Sequence, residues 1–440
     1  MKRYYLQLAL RGLLRHRTQT LLIIVTMAIG IASCMTAYTI LNALMADPIA
    51  HGSRHLYLVS MDSQPLPKPG DHSAVSSSPT LLKLRDAQAL VDARKAVRQT
   101  YLAIADVNAS TITGGAHDSS VLTWLTSAQA IAMFGIPLRH GRTWTAAESV
   151  ARAPVAIIDE HLSRKLFGVA DGVGRSLRLN GHVFRVIGVM ANWRYRRQFF
   201  DLEQLYFLPG TQFPIFLPTQ SALAASIGPI HPGICEHSSH AYAFGSSKVG
   251  DCYWLETWVQ LDTPKQVVAY RRYLLDYAMQ QHAAGRFQRA PKVALHGMNA
   301  WVAQNNGVPS SAPINLWLSL AFLALCMVNV TGLLLARFLR GSHEVAVRRT
   351  LGATRAGVFA QHLIEAGGVS LLGGALAVPL TLFGLWLVRQ QQIGYASVAH
   401  LNLPMFIALF AVSVGVGLIV SVLPAWRAST LSPALQVKTN

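Results

Sequence analysis

Charge is scarce in this chain. Asp, Glu, Lys and Arg make up 13% of its 440 residues, and hydrophobic residues make up 52%. A soluble domain carries roughly 25% charged residues, so much of this surface does not face water. Acids are scarcer still, 20 against 38 bases, for a formal charge of +18. No RNA-binding or zinc-finger motif accompanies the positive charge, which excludes the usual nucleic-acid readers. There is no G-x-x-x-x-G-K-[ST] phosphate loop, so the chain does not hydrolyse ATP by that route. G-x-S-x-G and H-E-x-x-H are also missing, and with them two common hydrolase designs.

Four runs contain no charged residue at all: Thr18–Ala46, Pro313–Ala336, Ala366–Val388 and Leu401–Trp426. A helix crosses a bilayer core in about 20 residues, and only a helix satisfies its own backbone there. The runs therefore predict four transmembrane helices, one N-terminal and three C-terminal. No series of buried acids lies within them, which argues against a proton-coupled transporter. Residues 1–46 and 313–440 together hold 13 Lys and Arg against 2 Asp and Glu.

Those bases set the orientation. Lys2, Arg3, Arg11, Arg15 and Arg17 precede the first run; Arg337, Arg340, Arg348, Arg349 and Arg355 follow the second; Arg427 and Lys438 follow the fourth. Only Arg389 lies between the third and fourth. Short basic loops stay in the cytoplasm. The expected order is a cytoplasmic tail (1–17), helix 1 (18–46), an external domain (47–312) and helix 2 (313–336). A cytoplasmic loop (337–365), helix 3 (366–388), a short external loop (389–400), helix 4 (401–426) and a cytoplasmic tail (427–440) follow. A lipoprotein signal ending at Cys34 is the rival reading of the N-terminus. The uncharged run continues twelve residues past Cys34, longer than a signal core, which favours a retained span.

The external segment predicts an α+β domain inserted between helices 1 and 2. Strands are expected at 55–61 and 183–190, and helices at 78–90, 127–134, 159–167 and 263–282. Asn180-Gly181 is expected to turn a hairpin. Cys235 and Cys252 are candidates for a disulfide in an oxidising compartment. Free thiols, or a metal site with His231, His237 and His240, are the alternatives, although the spacing matches no zinc pattern. With Glu236 and Asp251 these histidines form a dense polar cluster that fits no reaction template. Residues 193–207 (WRYRRQFFDLEQLYF) are either an edge strand with core aromatics or a contact surface. Cys34 and Cys326 are read as packing residues.

The segment EVAVRRTLGATRAGVFAQHLIEAGGVSLLGGALAVPL (344–380) resembles the signature of the FtsX-like permease family, to which MacB-type exporters and lipoprotein-release permeases belong. The resemblance is carried by Glu344, Ala346, Arg348, Arg349, Leu351, Gly352, Ala353, Thr354, Arg355, Glu365 and the pair Gly373-Gly374. Pro424, Ala425, Arg427, Ala428 and Pro433 resemble the family's C-terminal motif. Residues 133–148 and 153–190 are similar to the external core domain of MacB-type permeases. The resemblance implies a non-catalytic permease subunit, served by a separate cytoplasmic ABC ATPase that holds the ATP and Mg. No cofactor or metal is expected on this chain. It also implies a second permease chain, in a homo- or heterodimer, and an inner-membrane location. A periplasmic adaptor and an outer-membrane channel are further partners that it suggests. The cargo would be a peptide, antibiotic or lipoprotein-like molecule handled outside the membrane. The alternative is an FtsX-type mechanotransmitting scaffold that regulates cell-envelope enzymes.

On that resemblance Glu344, Arg348, Arg349, Leu351, Gly352, Ala353, Thr354 and Arg355 form the ATPase-coupling segment. Residues 342–359 independently make an amphipathic basic stretch, with Ser342 as a cap and Glu344 in the favoured first turn. An arginine-rich helix that binds only anionic lipids is the simpler alternative. Glu365 is expected to pair with Arg349 or Arg355, or to lie as an interfacial carboxylate. Gly373 and Gly374 mark a face for close helix packing, within or between subunits.

Overall fold

The computed structural model describes residues 17–45, 47–49, 52–66, 79–112, 119–191, 193, 195, 197–202, 211–231, 233–235, 247–305, 311–340 and 354–390, with ten helical positions between 405 and 426. It divides into two compact units, 1–45 with 308–440 and 46–307.

The first unit is helical. α1 (Arg17–Met45), α9 (Ser311–Arg340) and α10 (Arg355–Gln390) are each long and apolar enough to cross a membrane. α1 runs unbroken through Cys34. The expected fourth span is described only in part: Met405, Ala408, Val412, Val416, Ile419, Val422 and Trp426 are among its helical residues. Two of these helices run past the charge-free runs that mark the expected spans. α9 continues past Ala336 to Arg340, and α10 begins at Arg355, eleven positions before Ala366. Hydropathy stops at a charge, whereas helical hydrogen bonding does not. Most of the expected loop 337–365 that is described is therefore helix.

The second unit is built on a mixed sheet, which in its described residues contains eleven strands. In chain order its elements are β1 (Leu56–Met61), β2 (Leu81–Leu82), α2 (Leu84–Asp92), β3 (Arg98–Thr111), β4 (Ser119–Thr126) and α3 (Gln129–Met133). Then come β5 (Leu138–Gly141), α4 (Ala146–Val150), β6 (Val155–Asp159), α5 (Glu160–Phe167), β7 (Ser176–Leu179) and β8 (His182–Met190). β9 (Ile215–Pro218), α6 (Thr219–Ala224), β10 (Ile234–Cys235), β11 (Cys252–Tyr253), β12 (Leu255–Gln260), α7 (Pro264–Ala283), β13 (Val293–Gly297) and α8 (Met298–Asn305) complete it. The main path is β13-β1-β12-β3-β4-β9-β6-β8-β5, while β10 and β11 form a separate ribbon. β4–β9 and β6–β8 are parallel and the other ladders antiparallel, an α+β arrangement.

Local chemistry explains the element ends. Asn180 and Gly181 both take positive φ, 45° and 87°, as the two-residue turn between β7 and β8 requires. Asp159 accepts from the Leu162 N–H at 2.6 Å to cap α5, and Gly168 ends that helix at φ 73°. Thr263 and Gln266 make a capping box on α7, with Pro264 in its first turn. The helix expected over 78–90 is a correction. Leu81 and Leu82 pair with Glu256 and Leu255 as a strand, so α2 starts only at Leu84. Burial in the sheet outweighs the helix propensity of leucine.

The sheet separates two cores. One includes Leu82, Leu90, Leu125, Phe184, Leu217 and Leu274. The other gathers aromatic rings around Trp124, including Phe200 at 4.9 Å, Phe216 at 5.1 Å and Phe134 at 5.7 Å between centroids. Phe199 and Phe200 are fully buried there and Tyr195 nearly so. The described part of 193–207 is thus not a strand, and these rings are core rather than a contact surface.

Candidate functional site

In the helical unit the residues expected to matter lie on α10 and its approaches. Thr354 stands just before the helix, where its hydroxyl accepts from the Gly357 N–H at 3.1 Å as a side-chain cap. Its carbonyl accepts from the Val358 N–H, and Arg355, the first helical residue, is exposed. Glu344, Arg348, Arg349, Leu351, Gly352 and Ala353 lie outside the described residues, as does Ser342.

Glu365 is buried on α10 and pairs with Arg337 of α9, not with Arg355. Arg337 Nη2 donates to Glu365 Oε1, while Nη1 donates to Thr20 Oγ1 of α1 at 3.1 Å. One guanidinium thus joins three helices. Sequence reasoning took Arg337 only as an orienting charge. The signal was present in the two opposite charges that close the helical ends of one short loop. A buried charge at a membrane helix is costly unless paired, and removing one partner of such a pair costs about 3–5 kcal/mol.

Gly373 and Gly374 are both buried. A Cβ at Gly373 would stand 3.2 Å from Met27 Cβ, so this position seats α10 on α1 within the chain. Gly30 does the same for α9, where a Cβ would meet Cys326 at 3.1 Å. Cys34 and Cys326 are buried free thiols. Thr26, Thr331 and Thr381 satisfy their hydroxyls on carbonyls four residues back, at 2.7–2.8 Å. Ile29, Ser33, Thr36, Asn315, Ser319 and Gly384 are among the residues lining an open groove of about 370 Å³ between the helices.

In the sheet unit, Cys235 and Cys252 are joined by a disulfide that ties β10 to β11. His231 is exposed, and beside Asp201 and Glu256 it lines a small cavity. Glu256 is already engaged there, accepting from the Asp201 N–H at 2.8 Å and the Trp258 indole N–H at 3.2 Å. Among the described residues no group of three His, Cys, Asp or Glu side chains is placed to hold a metal ion. His237, His240 and Glu236 lie outside the described residues.

Among the charged clusters of this unit, one lies at the surface and another centres on a buried acid. Arg142 donates to both oxygens of Glu148, at 2.8 and 2.7 Å, and Glu148 also accepts from the Thr145 N–H. The Arg142 hydrogen bonds, then that N–H, hold the Glu148 carboxyl down at about 2. Asp86 of α2 is buried and accepts from the Tyr277 hydroxyl of α7. Burial first, then the Asp86 charge, pushes the Tyr277 phenol up.

Comparison with known proteins finds two family models along this chain. Residues 20–272 match the MacB-like periplasmic core domain and residues 316–433 the FtsX-like permease C-terminal region. The chain is 22% identical to the macrolide export ATP-binding/permease protein MacB of Wolinella succinogenes, over 99% of itself and 60% of the relative. It is also 22% identical to the pyoverdine export ATP-binding/permease protein PvdT of Pseudomonas aeruginosa, over 95% of itself and 56% of that protein. It thus spans less than two thirds of the length of these relatives. The periplasmic region of MacB from Actinobacillus actinomycetemcomitans aligns with 59% of this chain and 95% of its own, at TM-score 0.36 and 12% identity, a likeness too low to add weight. With more than half of its residues in the first match and most of its remaining helical unit in the second, the chain belongs to the MacB-like, FtsX-like permease family.

Proposed function

We propose that the chain is the membrane-spanning subunit of a MacB/FtsX-type ABC transporter. In this role a separate cytoplasmic ATPase, carrying the ATP and Mg, docks on residues 344–355. Its closure moves the helices, and they move the folded external unit, which handles a peptide, antibiotic or lipoprotein-like cargo. The chain itself is non-catalytic and needs no cofactor. It works in the inner membrane with four spans, at the boundaries expected from the charge-free runs, beside a second permease chain. An adaptor and an outer-membrane channel complete the path.

One observation carries this reading. A folded α+β unit stands between the first and second of three apolar helices, and the family matches cover both units. A force-relaying machine needs that division, with a helical part to take the push and a rigid head to deliver it. Purifying the tagged full chain from its own membranes tests the docking role. An ABC ATPase is expected to co-purify, and Arg348→Ala with Arg349→Ala is expected to release it. Equal recovery with both chains overturns the role of the arginines, and no ATPase with either overturns the reading. A cell-wall hydrolase captured in place of an adaptor would favour the scaffold role.

A further inference from the structure

α10 is longer than a bilayer requires. Its 36 residues rise about 54 Å, against a hydrocarbon core of about 30 Å. The excess lies toward its start. Ten helical residues, Arg355–Ile364, precede Glu365, and Thr354 caps them, so they form one rigid piece with the span. At Glu365 the helix meets Arg337, in the last turn of α9, and through Arg337 it meets Thr20 of α1.

Beyond that point the contact with α1 is close but carries no ion pair among the described residues. Gly373 meets Met27 and Gly384 meets Thr36, with buried Val369, Ala377 and Leu385 along the same helix. Small side chains let the helices approach closely there, and the attraction is by non-directional dispersion. An ion pair in a low-dielectric setting is different, because its attraction is strong and its geometry directional.

Resting on the docking role proposed above, we propose that Arg337 and Thr20 clamp α10 at Glu365. Residues 355–364 then form a stiff lever that pivots on a fixed point. Arg337 is a positioning residue: it touches neither nucleotide nor cargo, and it decides where the lever turns. A push on the first turn of α10 tilts the whole helix, where an unclamped helix would unwind at its start.

Amide hydrogen exchange on the full chain in lipid nanodiscs, with no ATPase present, tests the clamp. Arg337→Gln and Glu365→Gln are each expected to speed exchange in 355–364 by about tenfold or more and to leave 369–385 unchanged. The charge-swapped double variant, Arg337→Glu with Glu365→Arg, is expected to restore protection. Arg337→Lys keeps the charge but loses the two-armed bonding of the guanidinium, and it should give an intermediate increase. Unchanged exchange in 355–364, an even rise along all of α10, or no rescue by the swap each overturns the clamp. The assay contains no partner, so failure of the docking role leaves its outcome intact.

Discussion

Arg286 donates to Asp86 Oδ1 at 2.7 Å, and the two residues are 200 positions apart in the chain. The same oxygen accepts from the Tyr277 hydroxyl at 2.8 Å. The cluster fixes α2 to the end of α7 across one face of the sheet. Asp86→Ala leaves a guanidinium without its acid and is expected to destabilise the external unit by about 3 kcal/mol. Tyr277→Phe removes a single hydrogen bond, for about 1 kcal/mol. Chemical denaturation followed by tryptophan fluorescence measures both.

Glu148 supplies a pH dependence of defined sign. Its folded value is lowered to about 2 from 4.5. A lowered acid stabilises the fold above its unfolded value, and that stability is lost as pH falls through the folded one. Loss is therefore expected between about pH 4.5 and pH 2. The pair with Arg142 is solvent-facing, so the effect is expected to stay under about 1 kcal/mol. Glu148→Gln should flatten the melting temperature across that window, measured on the full chain in detergent.

Reduction of Cys235–Cys252 opens a link that spans 17 positions. Loop-closure entropy gives such a link a value of about 3 kcal/mol. Melting with and without reductant should show a lower midpoint for the reduced chain. The variant with both cysteines changed to serine should melt at that lower midpoint and not respond to reductant.

Gly373→Leu places a branched side chain where a single Cβ already comes within 3.2 Å of Met27. Overpacking of this kind costs about 1–3 kcal/mol. The helical unit is expected to melt earlier in detergent, while the external unit keeps its own transition. Met27→Ala in the same chain should recover part of the loss.

Much of the external unit was legible because its punctuation is local. Asn180-Gly181, Asp159, Gly168 and the Thr263–Gln266 box each act within a few residues. Nothing local distinguishes Leu81 and Leu82 from the start of α2, because their partners sit more than 170 positions away on β12. The burial of Phe199 and Phe200 is hidden for the same reason, since they sit among arginines in the chain. In the helical unit the charge-free runs located three long helices. Two of those helices run on past the charge-free runs, where Arg337 and Glu365 neutralise each other inside the bundle, and a hydropathy reading counts each as a reason to stop. The coupling residues from Glu344 to Ala353 were named by resemblance, beside an amphipathic basic pattern over 342–359, and lie outside the described residues.

β1 and β13 lie side by side, with Tyr57 opposite Gly297 and Val59 opposite Leu295. The first and last strands of the external unit thus seal it with their own hydrogen bonds, and its two ends emerge together. Such an insert is a self-contained cassette. It can be lifted out for study in isolation, or exchanged between related chains, by cutting at two neighbouring points and leaving no strand without its mate.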